Sequence, residues 1–171
     1  IRPNLRGRAS YTETEKGITV KANGRTFVFS KKDGQLKDVS VNNRKISFAN
    51  GPRFIGARRA DRSLDQFYNH DDEKAKAKDR TYSEFTDAAV FTKLDVKEEG
   101  GNLILTANYK LGNLDKAQWT IHPDGMATLD YTYNFSGVVD LMGICFDYPE
   151  EQVLSKRWLG AGPYRVWPVS Y

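Results

Sequence analysis

Between Gly17 and Phe48 apolar side chains recur mostly at every second position: Ile18, Val20 and Ala22, then Phe27 and Phe29, then Leu36, Val39 and Val41, then Ile46 and Phe48. A period of two places one set of side chains on a single face of an extended chain, so four short half-buried strands are predicted. They are separated by Asn23-Gly24, Lys32-Asp33-Gly34 and Asn42-Asn43. Asn and Gly tolerate the positive φ that tight hairpin turns require, and the whole segment is therefore expected to be an antiparallel meander.

After Asn50-Gly51-Pro52 the alternation stops. Residues 56–80 are polar and charged, with a run from Asp71 to Lys78 long enough for two helical turns, and a long functional or interdomain loop is expected there. Strand character returns at Ala88–Val96 and Leu103–Leu111, and again at Ala117–His122 and Met126–Phe135, as two hairpins closed by Glu98–Asn102 and by Pro123-Asp124-Gly125. Leu141–Tyr148 and Val153–Leu159 supply two final strands. No helix of core length is predicted. About ten short strands with Gly-rich turns point to an all-β antiparallel sandwich or barrel, and the direct repeats of a propeller or solenoid are absent.

Composition narrows the picture. A chain of 171 residues fits one domain, and roughly 70% of the unfolded surface can be buried at that size. Nine Phe, nine Tyr and three Trp exceed what a disordered chain carries. The apolar run Val138–Phe146 is broken by polar residues well short of about 20 positions, so no membrane-spanning helix is expected. The single Cys145 sits in that run and is read as a buried, inert thiol. The start, Ile-Arg-Pro-Asn-Leu-Arg-Gly-Arg, has no leader pattern, which suggests a beginning inside a longer protein, with residues 1–16 a linker or interdomain strand and 17–171 the sandwich.

The net charge of +4 hides an asymmetry: residues 1–60 hold 14 Lys and Arg against 4 Asp and Glu, and residues 61–171 hold 12 against 18. The basic residues alternate with apolar ones along strands instead of clustering with aromatics, which argues against nucleic acid and for a solvated face meeting an acidic neighbour.

No catalytic constellation emerges. His70 and His122 have no ligand-like partners, so no metal and no cofactor are expected. No G-x-S-x-G motif is present, and Gly160-Ala161-Gly162-Pro163 lacks the following helix of a phosphate loop. The acid pairs Asp61/Asp65, Asp71/Asp72 and Glu150/Glu151 lie in charged stretches where solvated carboxylates are the ordinary outcome. Sugar binding needs an aromatic ring beside side chains that bond hydroxyls. Two stretches meet that need: Arg58, Asp61 and Arg62 leading to Phe67-Tyr68, and Trp158 through Arg165 to Trp167.

The same segments carry a resemblance. Phe27-Val-Phe-Ser30 with Lys32-Asp-Gly-Gln-Leu36, then Gly51-Pro-Arg-Phe54, Leu141-Met-Gly-Ile-Cys-Phe146 and Trp158-Leu-Gly-Ala-Gly-Pro-Tyr164 occur in that order. This resembles the C-terminal, small-chain β-sandwich of glycoside hydrolase family 2 β-galactosidases, over about residues 17–167. The R-A-P-x-D-N-D segment of that family appears here as Arg58-Arg-Ala-Asp-Arg-Ser-Leu-Asp65, without the proline and the paired acids. Arg165 stands where a Glu commonly follows the G-P-x turn.

The resemblance implies an antiparallel supersandwich similar to galactose mutarotase, cut short at its C-terminus. It also implies a non-catalytic domain beside a catalytic barrel that holds both glutamates, so no catalytic residue is carried over. Arg58, Asp61, Arg62, Trp158, Arg165 and Trp167 become candidates for lining a sugar cleft or a domain interface. The implied partners are the other domains of a parent hydrolase and an oligosaccharide; an unfinished sheet edge adds self-association as an expectation. Compartment follows only from the parent: periplasmic or extracellular for a polysaccharide-degrading enzyme. Two other classes stay in play, a stand-alone carbohydrate-binding module and a mutarotase-like epimerase, the latter requiring a converging His and carboxylate.

Overall fold

The computed structural model describes residues 8–59, 82–86, 88–137, 139 and 141–155. They form twelve antiparallel strands and one 3-10 turn, Glu150–Gln152. The strands are β1 (Ser10–Glu13), β2 (Gly17–Ala22), β3 (Arg25–Ser30), β4 (Leu36–Val41), β5 (Arg44–Ile46), β6 (Ala49–Arg59), β7 (Tyr82–Thr86), β8 (Val90–Glu99), β9 (Asn102–Lys110), β10 (Leu114–Ile121), β11 (Ala127–Tyr133) and β12 (Leu141–Asp147). The larger sheet runs β1-β2-β3-β4-β6-β12, with β5 on β4 and β7 on β6; the smaller is the meander β11-β10-β9-β8.

The predicted alternation is what builds the core. Ile18 faces Phe29 across β2 and β3, and Val20 faces Phe27; Leu36 and Val39 continue the layer on β4. Leu103 and Leu105 of β9 and Trp119 and Ile121 of β10 supply the opposing layer in one buried cluster. Phe29 and Trp119 meet edge to face at 6.0 Å between ring centroids. Asn23-Gly24 and Asn42-Asn43 all have positive φ, the geometry that matches hairpin turns to strand twist.

Both ends of the sandwich are tied across the sheets. At one end the loop after β3 docks on the smaller sheet. A Cβ at Gly34 (φ +72) would lie 2.7 Å from the Phe91 ring and 2.8 Å from Ala107 Cβ. The Tyr109 hydroxyl donates to the Asp33 carbonyl at 3.1 Å. At the other end the β10–β11 turn meets the β2–β3 turn: Asn23 Nδ2 and Arg25 Nη1 both donate to the Asp124 carbonyl, at 2.9 and 2.8 Å.

Burial, and then the Asp33 carboxylate, push the Tyr109 hydroxyl up to about 12. A raised pKa means that the neutral phenol is the form the fold favours, so this contribution is whole below pH 10 and is lost as pH rises through about 12. Tyr109→Phe is accordingly expected to cost about 1 kcal/mol near pH 8, through the lost hydrogen bond. Urea titrations should show that gap shrinking or inverting at pH 11–12; a gap independent of pH would refute the assignment.

The strand ladder joins the two halves of the larger sheet at a single residue pair, Leu36 with Gly51, at the cis Gly51-Pro52 peptide. A polar chain spans this joint. Lys37 Nζ reaches Asp33 Oδ2 at 2.7 Å, Gln35 Oε1 at 2.8 Å and Asn50 Oδ1 at 3.2 Å. Asn50 Nδ2 donates to Asp147 Oδ2 at 2.7 Å, and Asp147 pairs with Arg53. Arg53–Asp147 and Arg8–Glu98 are ion pairs between the basic first half and the acidic second, whereas Lys31–Glu13, Lys37–Asp33 and Lys45–Asp38 close within the first half.

Ser10–Glu13, exposed at every position and inside the stretch 1–16 expected to be a linker or interdomain strand, is held by backbone pairing to β2. Two features differ from the sequence expectation. The alternation ends at Pro52, yet β6 continues to Arg59 because β12 and β7 pair with it on both sides and the ladder does not need a regular pattern. The strand expected from Val153 is not formed at residues 153–155, where Leu154 is 96% exposed: two adjacent apolar residues define no face.

Candidate functional site

Where β1, the β2–β3 turn and the β4–β5 turn come together, they enclose an open recess of about 540 Å³. Its rim is polar. Lys21 sits on β2, cross-strand from Ser10 on one side and Thr26 on the other. Asn42 donates its backbone N–H to the Gly24 carbonyl at 2.7 Å, which stacks one turn against the other and brings Asn42 and Asn43 beside Asn23. Arg25 and Arg8 complete the cationic lining, and among the described residues no acidic or aromatic side chain takes part in it.

The charges differ in how far they are compensated. Arg8 pairs with Glu98 at 2.6 Å. Arg25 gives one N–H to a neutral carbonyl and packs against Gly125, so its guanidinium is fixed in place with its charge intact. The Lys21 ammonium has no ion-pair partner among the described residues. Such a site offers positive charge, planar amides and hydroxyls, with no carboxylate among its described lining residues.

Of the residues expected to line a sugar site, Arg58 lies on β6, with its backbone in register with Ser83. Asp61, Arg62, Trp158, Arg165 and Trp167 lie outside the described residues, as does His70. His122 is engaged by Asn102 at 3.1 Å and Thr128 at 3.3 Å. Among the described residues no three His, Cys, Asp or Glu side chains form a metal-binding group. Cys145 is half-buried on β12, in register with Arg53.

A second surface lies at β11, the outermost strand of the smaller sheet. Tyr131 and Tyr133 stack on one another at 6.0 Å and are 43% and 41% exposed, while Tyr133 rests on the buried Phe54 of β6 at 5.4 Å. The rings thus extend the core outward.

The recess was not among the sequence-derived sites. Asn23, Asn42 and Asn43 were legible as turn formers, but nothing local indicates that two turns about twenty residues apart share one wall.

The fold defines an all-β, antiparallel, sandwich-like domain. No protein-family model matches the chain, and no curated protein matches it.

Proposed function

We propose that the chain is a non-catalytic β-sandwich domain of a family 2 glycoside hydrolase of the β-galactosidase type, packing beside the catalytic barrel and shaping the carbohydrate cleft. The observation that carries the reading is the arrangement of the segments that bear the resemblance. Phe27–Ser30, the Lys32–Leu36 turn, Gly51–Phe54 and Leu141–Phe146 occupy β3, the entry to β4, β6 and β12, which are neighbours in one sheet. A pattern spread over more than a hundred positions thus falls on neighbouring strands of one sheet, which supports the reading. On this reading the finer architecture is a supersandwich of the galactose-mutarotase kind. The Tyr131–Tyr133 edge is the apolar surface that another domain, or a second copy, covers.

Several acids of the described residues have structural partners: Asp33 and Asp147 brace the joint, Asp124 accepts from the Met126 N–H in its own turn, and Glu98 holds Arg8. Retaining glycosidases hold two carboxyl groups about 5–5.5 Å apart in a rigid frame, and on this reading that pair belongs to the barrel. The test is hydrolysis of an aryl β-galactoside by the purified chain alone. No turnover above buffer is expected; turnover that co-purifies with the folded chain and is abolished by a single carboxylate substitution within it would overturn the assignment.

A further inference from the structure

From the recess at the β2–β3 and β4–β5 turns we infer an anion-reading saccharide site, one that takes a sugar bearing a sulfate or carboxylate group. Three observations converge. The described lining contributes three cations and no acid, and two of these cations, Lys21 and Arg25, have no ion-pair partner among the described residues. Arg25 is held by the Asp124 carbonyl and by contact with Gly125, so little side-chain entropy remains to be lost when its free N–H groups take up an oxyanion. Asn23, Asn42 and Asn43, with Ser10 and Thr26, surround the cations with paired donors and acceptors, the groups that recognise ring hydroxyls.

Among the described residues no aromatic ring lines the recess. A neutral pyranose or a nucleobase is gripped largely through its face by a stacked ring, so the described lining favours a ligand held by charge. Charge and hydrogen bonds are what the recess has, and its volume falls within the range of small-molecule sites. A compact polyol carrying one oxyanion satisfies both. The inference does not depend on the hydrolase reading, because it is measured on the chain by itself.

The experiment is a two-dimensional NMR titration of the isotope-labelled chain with a sulfated disaccharide, digalacturonate, lactose, inorganic sulfate, inorganic phosphate and a short oligonucleotide. The sulfated or uronate disaccharide is expected to shift the amides of Lys21, Asn23–Thr26, Asn42 and Asn43 saturably, and more weakly as salt is raised. Arg25→Gln should weaken binding about tenfold. Lys21→Gln, which breaks no side-chain bond among the described residues and so keeps the fold, should weaken it several-fold. The site is refuted if no ligand gives saturable shifts there, or if Lys21→Gln leaves affinity unchanged. Lactose binding as tightly would show that charge is not read. Inorganic sulfate or phosphate binding as tightly as the disaccharides would reduce the recess to a bare anion hole, and preference for the oligonucleotide would reassign it; each overturns the inference.

Discussion

Gly34→Ala is expected to destabilise the chain by about 2–4 kcal/mol, lowering Tm by roughly 5–15 °C. Two costs combine. The residue has φ +72, where a Cβ is unfavourable by about 1–2 kcal/mol. Its new methyl would also press on Phe91 and Ala107, at 2.7 and 2.8 Å, in the contact that ties the β3–β4 loop to the smaller sheet. Gly100→Ala separates the terms, because Gly100 has φ +57 and open space around the Cβ position. That variant should show the backbone cost alone. Equal losses in thermal melts of the two variants would show that the Gly34 contact contributes nothing.

The second large effect belongs to Trp119. It is 7% exposed and meets Phe29 and Phe146 edge to face at 6.0 and 5.9 Å, so it joins the smaller sheet to both halves of the larger one. Trp119→Ala should cost about 3–5 kcal/mol, a large share of a typical domain's stability. Trp119→Phe should cost much less. The indole Nε1 is buried without a hydrogen-bond partner among the described residues, and phenylalanine removes that donor while keeping a ring between the sheets. Urea unfolding monitored by circular dichroism distinguishes the two. Equal losses would mean that the indole N–H is satisfied and that indole volume governs the site.

The strands that were legible are those with one buried face. Ile18, Val20 and Ala22, or Leu103, Leu105 and Ala107, alternate because one sheet surface meets the opposing layer and the other meets solvent. β1 was legible only as part of a linker or interdomain strand, because Ser-Tyr-Thr-Glu is exposed at every position and stands on its pairing with β2. β6 was masked by Gly51, Pro52 and Gly56, which read locally as a turn; its extended state is imposed by partners remote in sequence, β7 and β12. The recess is less legible still. Its members come from residues 8–10, 21–26 and 42–43, and only the stacking of two hairpins makes them neighbours. The excess of basic residues before position 60 was the one sequence signal that bears on it, and it pointed to a charge without pointing to a place.

The central claim, that the chain assists a glycosidase without containing its catalytic groups, is tested most directly by kcat/KM for an aryl β-galactoside. The measurement compares the parent hydrolase that the proposal implies, the same polypeptide with residues 17–171 excised, and the chain alone. The account predicts efficient hydrolysis by the first, a loss of at least about a hundredfold in the second as the cleft loses a wall, and none in the third. Undiminished hydrolysis after excision, no glycosidase activity in the parent polypeptide, or turnover by the chain alone would contradict it.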